Sequence, residues 1–364
     1  MSPAADLGIA FGRVAFVMLF VLNLGGLLTW VERKQSAIMQ DRIGANRASL
    51  LGLRLFGLFH PLADAIKMLA KEDFRPARAD RFLFALAPFV SVFFALVAFA
   101  SIPFGDALRV GDRVIPLQAI TLDVGVLYVF AMLSLGVYGV MMAGWASGNN
   151  FALLGGQRAA ALMISAEIAI GASIMGVIMI YGSLNPQEIV RGQGQHLWGW
   201  IPLWGVLTQP LAFVLFVTAG IAATKRIPFD TPEGESEIIG YFVEYSGMKF
   251  GMFAMADFLE TVVIAGLTTT LFLGGWQVPW LFADGFHLPW GATLPLPHLA
   301  VTALQVGAFV FKVSAMIFVL MLIRWTLPRF RYDQAMRLGW LGLFPLSILN
   351  IAVTGAILLL VRPA

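Results

Sequence analysis

The chain has no cysteine, which removes disulfides, thiolate nucleophiles and cysteine-held iron–sulfur clusters from its chemistry. Its four histidines, His60, His196, His287 and His298, are scattered without ligand spacing, so neither haem nor zinc is expected. Charge is scarce as well. Only 12% of residues are Asp, Glu, Lys or Arg, against 59% hydrophobic, and a soluble domain carries about twice that charged share. No Gly-rich phosphate loop, nucleophile elbow or metal motif occurs, so no nucleotide site is expected. If the protein serves redox chemistry, its electrons must travel on a partner.

What the chain has in quantity is long apolar runs. About 20 apolar residues cross a bilayer core, and eight such runs are present: Phe11–Val31, Phe82–Phe104, Leu122–Trp145, Ala159–Tyr181, Leu203–Ala223, Phe250–Gly274, Leu299–Ile323 and Leu338–Val361. The sequence therefore predicts an all-α polytopic membrane protein of about eight transmembrane helices, a single integral membrane domain over residues 1–364. Ten Lys and Arg lie between Glu32 and Arg81, whereas the loops on the opposite side hold only Arg109, Arg113 and Arg191. The positive-inside rule then places that segment in the cytoplasm and both termini outside. The net charge of +3 reflects this bias, and no nucleic-acid partner is expected.

The stretch Thr224–Tyr245 interrupts the apolar pattern most sharply. It carries Asp230, Glu233, Glu235, Glu237 and Glu244, with no Lys or Arg between Arg226 and Lys249. Carboxylates crowded in this way repel one another, so some hold protons near neutral pH. A helix start is the plainer alternative. Thr231 would cap it, Pro232 would take its first position, and Glu233 and Glu235 would face its positive end. That alternative leaves Glu237 and Glu244 unexplained.

The first span ends in Trp30-Val31-Glu32-Arg33-Lys34. Glu32 sits on the last turn, where a negative charge opposes the helix dipole, so a local partner is expected. Next come two short segments, Ser49–Phe59 and Pro61–Lys71. In the second, Leu62, Ile66 and Leu69 share one face and Asp64, Lys67 and Lys71 the other. They predict an amphipathic helix pair lying along the membrane, beside a lateral opening that suits an apolar substrate. The charged loop Glu72–Arg81 suits docking of a soluble partner.

Ionisable residues inside spans cost about 2.5–3.5 kcal/mol each at the bilayer centre on insertion scales. Glu167 lies roughly 13 Å into its span, Glu260 roughly 16 Å and Lys312 roughly 18 Å, counted from the nearest basic anchor at the helical rise. Asp257 precedes Glu260 by one turn. This mixed-sign set of similar depth reads as a hydrated proton or ion route, with structural ion pairing as the alternative.

These motifs carry a resemblance. WVERK at Trp30–Lys34, QDRIGANR at Gln40–Arg47, PLADAIKMLAKED at Pro61–Asp73, GWAS at Gly144–Ser147, PFDTPEGESE at Pro228–Glu237, EYSGMKF at Glu244–Phe250, FLGGW at Phe272–Trp276 and RYDQ at Arg331–Gln334 resemble the H subunit of respiratory complex I, the proton-translocating NADH:quinone oxidoreductase. The mitochondrial counterpart is membrane subunit 1. The resemblance runs in order over nearly the whole chain.

It implies a subunit of a bacterial inner membrane, with spans 2–6 resembling half of an antiporter-like unit. It also implies a quinone chamber shared with soluble partner subunits, one carrying the terminal iron–sulfur cluster. FMN and the iron–sulfur clusters would belong to partners, and this chain would bind quinone without a redox centre of its own. Carried over by position, Glu32, Arg33, Asp64 and Lys67 belong to the chamber and its entrance. Arg226, Asp230, Glu233, Glu235 and Glu237 belong to a coupling loop over residues 224–246, and Glu167 to a buried path. Ser134 and Ala223 stand where many relatives carry carboxylates. A membrane subunit of an ion-translocating hydrogenase or ferredoxin-linked dehydrogenase is the alternative implied by the same motifs.

Overall fold

The computed structural model describes residues 3–361 apart from 112, 198, 199, 233, 235–237 and 239. The chain is a helix bundle. In order its helices are α1 Pro3–Met39, α2 His60–Ala70, α3 Arg81–Ala98, α4 Gly125–Ala146, α5 Asn150–Tyr181, α6 Pro186–Gln193, α7 Gly205–Thr208, α8 Pro210–Ala223, α9 Gly247–Phe272, α10 His298–Thr326, α11 Tyr332–Arg337 and α12 Phe344–Val361. A π-helical turn over Leu338–Leu343 joins the last two. Short antiparallel strands occur only in the connections: Ala107–Val110 with Arg113–Pro116, His196–Leu197 with Ile201–Pro202, and Leu281–Phe282, Gly285–His287 and Thr293–Pro295 together.

Among the described residues, seven helical stretches are long and apolar enough to cross a membrane. Large apolar side chains such as Phe11, Phe311 and Leu360 face outward, as in a bundle whose outer solvent is hydrocarbon. Local chemistry sets the helix ends. The Asp80 carboxylate accepts from Leu83 N at the start of α3 and Asn149 Oδ1 from Phe151 N at the start of α5, which Gly182 ends in the left-handed region.

α9 is the central post. Every residue from Leu259 to Phe272 is buried, and α1, α2, α3, α8 and α10 all pack against it. Close approach of α2 has a simple cause. A Cβ on Gly251 would come within 2.9 Å of Met68 Sδ, and one on Gly247 within 3.3 Å of the Met68 carbonyl oxygen. The small residues of α9 let the short helix lie against it.

Two sequence expectations need correction. Leu203–Ala223 is not one continuous span: Gln209 leaves helical geometry (φ −139°, ψ 59°), Pro210 restarts the helix, and α8 runs for 14 residues. That is about 21 Å, short of the ~30 Å hydrocarbon core. Ser49–Phe59 is not the first half of a helix pair. It holds one 3₁₀ turn, Leu55–Gly57, and left-handed φ values at Leu51, Gly52, Leu55, Phe56 and Gly57 forbid a longer helix. Trp30 Nε1 donates to the Phe56 carbonyl at 3.2 Å and ties this loop to α1.

Candidate functional site

The short α8 decides where the next segment of chain lies. Its preceding turn packs Gly205 against the Leu271 carbonyl near the end of α9. Fourteen residues on, the chain has descended only to the level of Glu260, so Thr224 and Lys225 emerge inside the bundle. The beginning of the acidic stretch is accordingly buried: Thr224, Lys225, Phe229, Asp230 and Thr231 are all less than a tenth exposed.

Lys225 becomes the centre of a side-chain triad. Its Nζ lies 3.1 Å from Asp257 Oδ1 and 3.1 Å from Glu260 Oε2. Side-chain exposure is 2% for Lys225, 20% for Asp257 and 6% for Glu260. Burial pushes the Lys225 ammonium down, but Asp257 and then Glu260 outweigh it and hold it well above the ordinary lysine value. The residue also has a left-handed φ of 55°, a conformation costing about 1–2 kcal/mol for a side chain of this kind. The paired carboxylates help to retain it there.

A second set of charges surrounds Glu32 at the end of α1. Its carboxylate accepts from Arg226 Nη1 and from Arg324 Nη1 of α10, each at 2.9 Å. The partner expected nearby in sequence therefore comes from two distant segments. The Arg226 guanidinium also stacks over Phe258, 4.3 Å from the ring centroid. Burial pulls Arg226 below its ordinary value, while Glu32 opposes that shift. Farther along the stretch, Asp230 pairs with Arg329 at 2.8 Å.

Cavities join these groups. One of about 190 Å³ is lined by Glu32, Lys225, Arg226, Asp230, Asp257 and Arg324. Another of about 530 Å³ lies between α1, α2 and α9, with Leu22, Met68, Phe250 and Phe258 in its mostly apolar wall and Glu32, Arg33 and Asp64 at its polar edge. Its size falls in the ordinary range for small-ligand pockets. A third, of about 460 Å³, is lined by Glu32, Arg33, Arg42 and Trp325. Glu32 borders all three.

Three charged residues of α1 and α2 form one cluster. Arg33 Nη2 reaches Asp64 Oδ2 at 2.6 Å, and Lys67 reaches Asp64 Oδ1 at 3.4 Å. Leu62, Ile66 and Leu69 point outward on the other face of α2.

The acidic stretch is less unified than its spelling. Glu244 accepts from Asn149 Nδ2 at 2.6 Å and serves the start of α5. Thr231 and Pro232 form a turn. Glu233, Glu235 and Glu237 lie outside the described residues.

The four charges placed at similar depth also divide. Glu167 accepts from Ser134 Oγ at 2.8 Å. The Cβ position of Gly136, also on α4, lies 3.9 Å from Glu260 Oε1, so Glu167 and Glu260 touch flanks of α4 that are about 200° apart. Lys312 is elsewhere. Its Nζ donates to the carbonyls of Leu273, Gly275 and Gln277 at 2.8, 3.0 and 2.6 Å and lies over Trp204. It caps the end of α9 thirteen residues beyond Glu260, about 20 Å away along the helix.

Comparison with known proteins agrees with this architecture. Residues 12–355 match the family described as NADH dehydrogenase. The chain is 43% identical over 362 residues to H subunit 1 of the NADH-quinone oxidoreductase of Geobacter metallireducens, covering 99% of this chain and 100% of that one. It is 44% identical to the H subunit of the Thermomicrobium roseum NADH-quinone oxidoreductase, over 94% of each chain. Identity to H subunit 2 of the Rhizobium meliloti NADH-quinone oxidoreductase is 40%, over 98% of this chain and 99% of the relative. The chain belongs to the NADH dehydrogenase family.

Within this NADH dehydrogenase family member, Lys225, Arg324 and Arg329 pair with Asp257 and Glu260, Glu32 and Asp230, and sequence reasoning did not select them. Each stands at or just beyond the end of an apolar run, where a basic residue satisfies the positive-inside rule without any further role. The available signal was the unmatched need of Glu32 and of the buried carboxyls for cations.

Proposed function

We propose that this chain is the membrane subunit of a proton-translocating NADH:quinone oxidoreductase in which the quinone chamber meets the proton path. The apolar cavity receives the quinone, entering between α1, α2 and α9 past Arg33, Asp64 and Lys67. Soluble subunits complete the chamber, one of them carrying the terminal iron–sulfur cluster, and FMN lies farther upstream. The chain itself supplies binding and electrostatics. It resides in the bacterial inner membrane with the Arg33 end in the cytoplasm and both termini outside.

The coupling stretch contributes Arg226, Asp230, Glu233, Glu235 and Glu237, and the path continues to Asp257, Glu260 and Glu167. Lys312 stands apart, because three carbonyls already occupy its donors. The observation that carries this reading is the position of Glu32, which borders both the apolar cavity and the charged one. A charge change on a quinone in the first cavity alters Glu32 and, through Arg226, the groups in the second.

The test is Glu32→Gln in the intact complex. Quinone-reductase turnover is expected to fall at least about tenfold, equivalent to ~1.4 kcal/mol. Electron transfer to a water-soluble acceptor reduced upstream of the quinone should stay unchanged. Undiminished quinone turnover would overturn the assignment.

A further inference from the structure

The Lys225 triad contains one cation and two carboxylates, so its fully ionised form carries a net negative charge. Lys225 and Glu260 are almost completely removed from solvent, where an unbalanced charge is costly. The Glu32 set has the opposite excess, with two guanidinium groups on one carboxylate. Lys225 and Asp257 of the triad line the same cavity of about 190 Å³ as Glu32, Arg226 and Arg324.

We propose that Lys225 is a positioning residue that makes Asp257 and Glu260 a single-proton site, and that Arg226 replaces this proton as counter-charge by leaving Glu32. Lys225 neutralises one carboxylate. The other is neutralised by a proton or by a second cation, and Arg226 is the cation within reach. In this structure Arg226 remains on Glu32, the arrangement that fits a protonated triad. Its buried Nε has no hydrogen-bond partner among the described residues, and it lines the same cavity as Asp257. When Arg226 moves, Glu32 keeps Arg324 and both sets become neutral.

Among the described residues, the other cations around this cavity are already matched, with Arg324 on Glu32. Asp230 is matched by Arg329, α4 meets Glu260 with Gly136, and Glu167 is occupied by Ser134. The 3₁₀ turn Tyr241–Glu244 supplies Tyr241, a phenol that carries no positive charge, while its Glu244 is held by Asn149. The proton step balances simply: one carboxylic O–H bond breaks, the proton leaves through the cavity, and Arg226 takes its electrostatic place. The one-proton count rests on this geometry, and its use in energy coupling rests on the function proposed above.

Difference infrared spectroscopy of the intact purified complex, titrated with pH, tests the proposal through the C=O stretch of protonated buried carboxyls. The parent should show one titrating carboxyl at this site. Asp257→Asn and Glu260→Gln should each abolish the same band, because either leaves a neutral pair with Lys225. Lys225→Arg should preserve it, whereas Lys225→Met should add a second carboxyl and move the titration to higher pH. Arg226→Gln should also move it upward, by removing the alternative counter-charge.

A band lost in only one amide variant, or a Lys225→Met spectrum identical to the parent, would overturn the proposal. If Lys225→Met does not assemble, the two near-isosteric amide variants decide the matter. Expected spectra with normal quinone-linked proton transport in Glu260→Gln would support the one-proton site and remove only its role in coupling. Impaired transport with unchanged spectra would overturn the site and leave the functional reading intact.

Discussion

The middle and the far end of α9 each meet a lysine, and they treat it in opposite ways. Near the end, Lys312 gives its donors to three backbone carbonyls, which stay where the helix terminus puts them and cannot take up a proton at neutral pH. Deeper in the bundle, Lys225 meets two titratable carboxyls beside a cavity. The saturated lysine fixes architecture. The shared one leaves charge free to be redistributed.

Gln193 strengthens the contrast at the Lys312 end. Its Nε2 donates to Thr270 O, and its Oε1 accepts from Gly205 N and Gly274 N. A satisfied network of this kind specifies one geometry. By contrast, Glu32 holds two arginines and could lose either while retaining a salt bridge. Redundancy of partners, more than burial, separates the responsive region from the rigid one.

Lys312→Met should have the largest effect and the most direct bearing on this contrast. It leaves three carbonyls without their cation, and an unsatisfied buried group costs about 1–3 kcal/mol. The amount of assembled complex in the membrane should fall steeply, while surviving complex retains the parent's pH profile of quinone turnover. Normal assembly with abolished proton transport would put Lys312 in the path and erase the distinction between the two lysines.

Much of the region around Glu32 was legible in the sequence. Composition identified the membrane class, and the amphipathic spacing of α2 placed Asp64 and Lys67 on the face that meets α1. Glu32 was recognised as needing a partner because a carboxylate opposes the dipole at a helix end. What could not be read was direction around and along the helices. Glu260 and Lys312 have similar calculated depths, but Lys312 extends toward the far end of α9.

Lys225 was missed for a related reason. Apolar length suggested a full span before it, and only the break at Gln209–Pro210 shortens α8 enough to bury the lysine. The acidic stretch then looks like a surface loop in the sequence although its first residues lie within protein. Glu244 likewise reads as one more acid in a row, but its partner Asn149 is supplied by the start of α5.

An intermediate effect is expected where α2 meets α9. Gly251→Val introduces bulk at a contact where even a Cβ would approach Met68 Sδ to 2.9 Å. The thioether is flexible, so the bundle should survive at an overpacking cost of about 1–3 kcal/mol. Because Met68 and Gly251 both line the apolar cavity, the change should raise the apparent KM for quinone severalfold. Upstream electron transfer to a soluble acceptor should be unaffected. An unchanged KM would separate this cavity from the quinone route.

Ser134→Ala should have the smallest effect. The serine hydroxyl donates to Glu167 at 2.8 Å across α4 and α5, and losing one such hydrogen bond costs about 1 kcal/mol. A modest fall in thermal stability is expected, with quinone-linked turnover within about twofold of the parent. Ser134→Asp should act differently, because two neighbouring carboxyls disfavour simultaneous ionisation and retain a proton to higher pH. Its turnover profile should shift along the pH axis even if its stability matches the alanine variant. A tenfold turnover loss in Ser134→Ala, with assembly intact, would make this hydroxyl part of proton transfer and extend the responsive region across α4, beyond the Lys225 cavity.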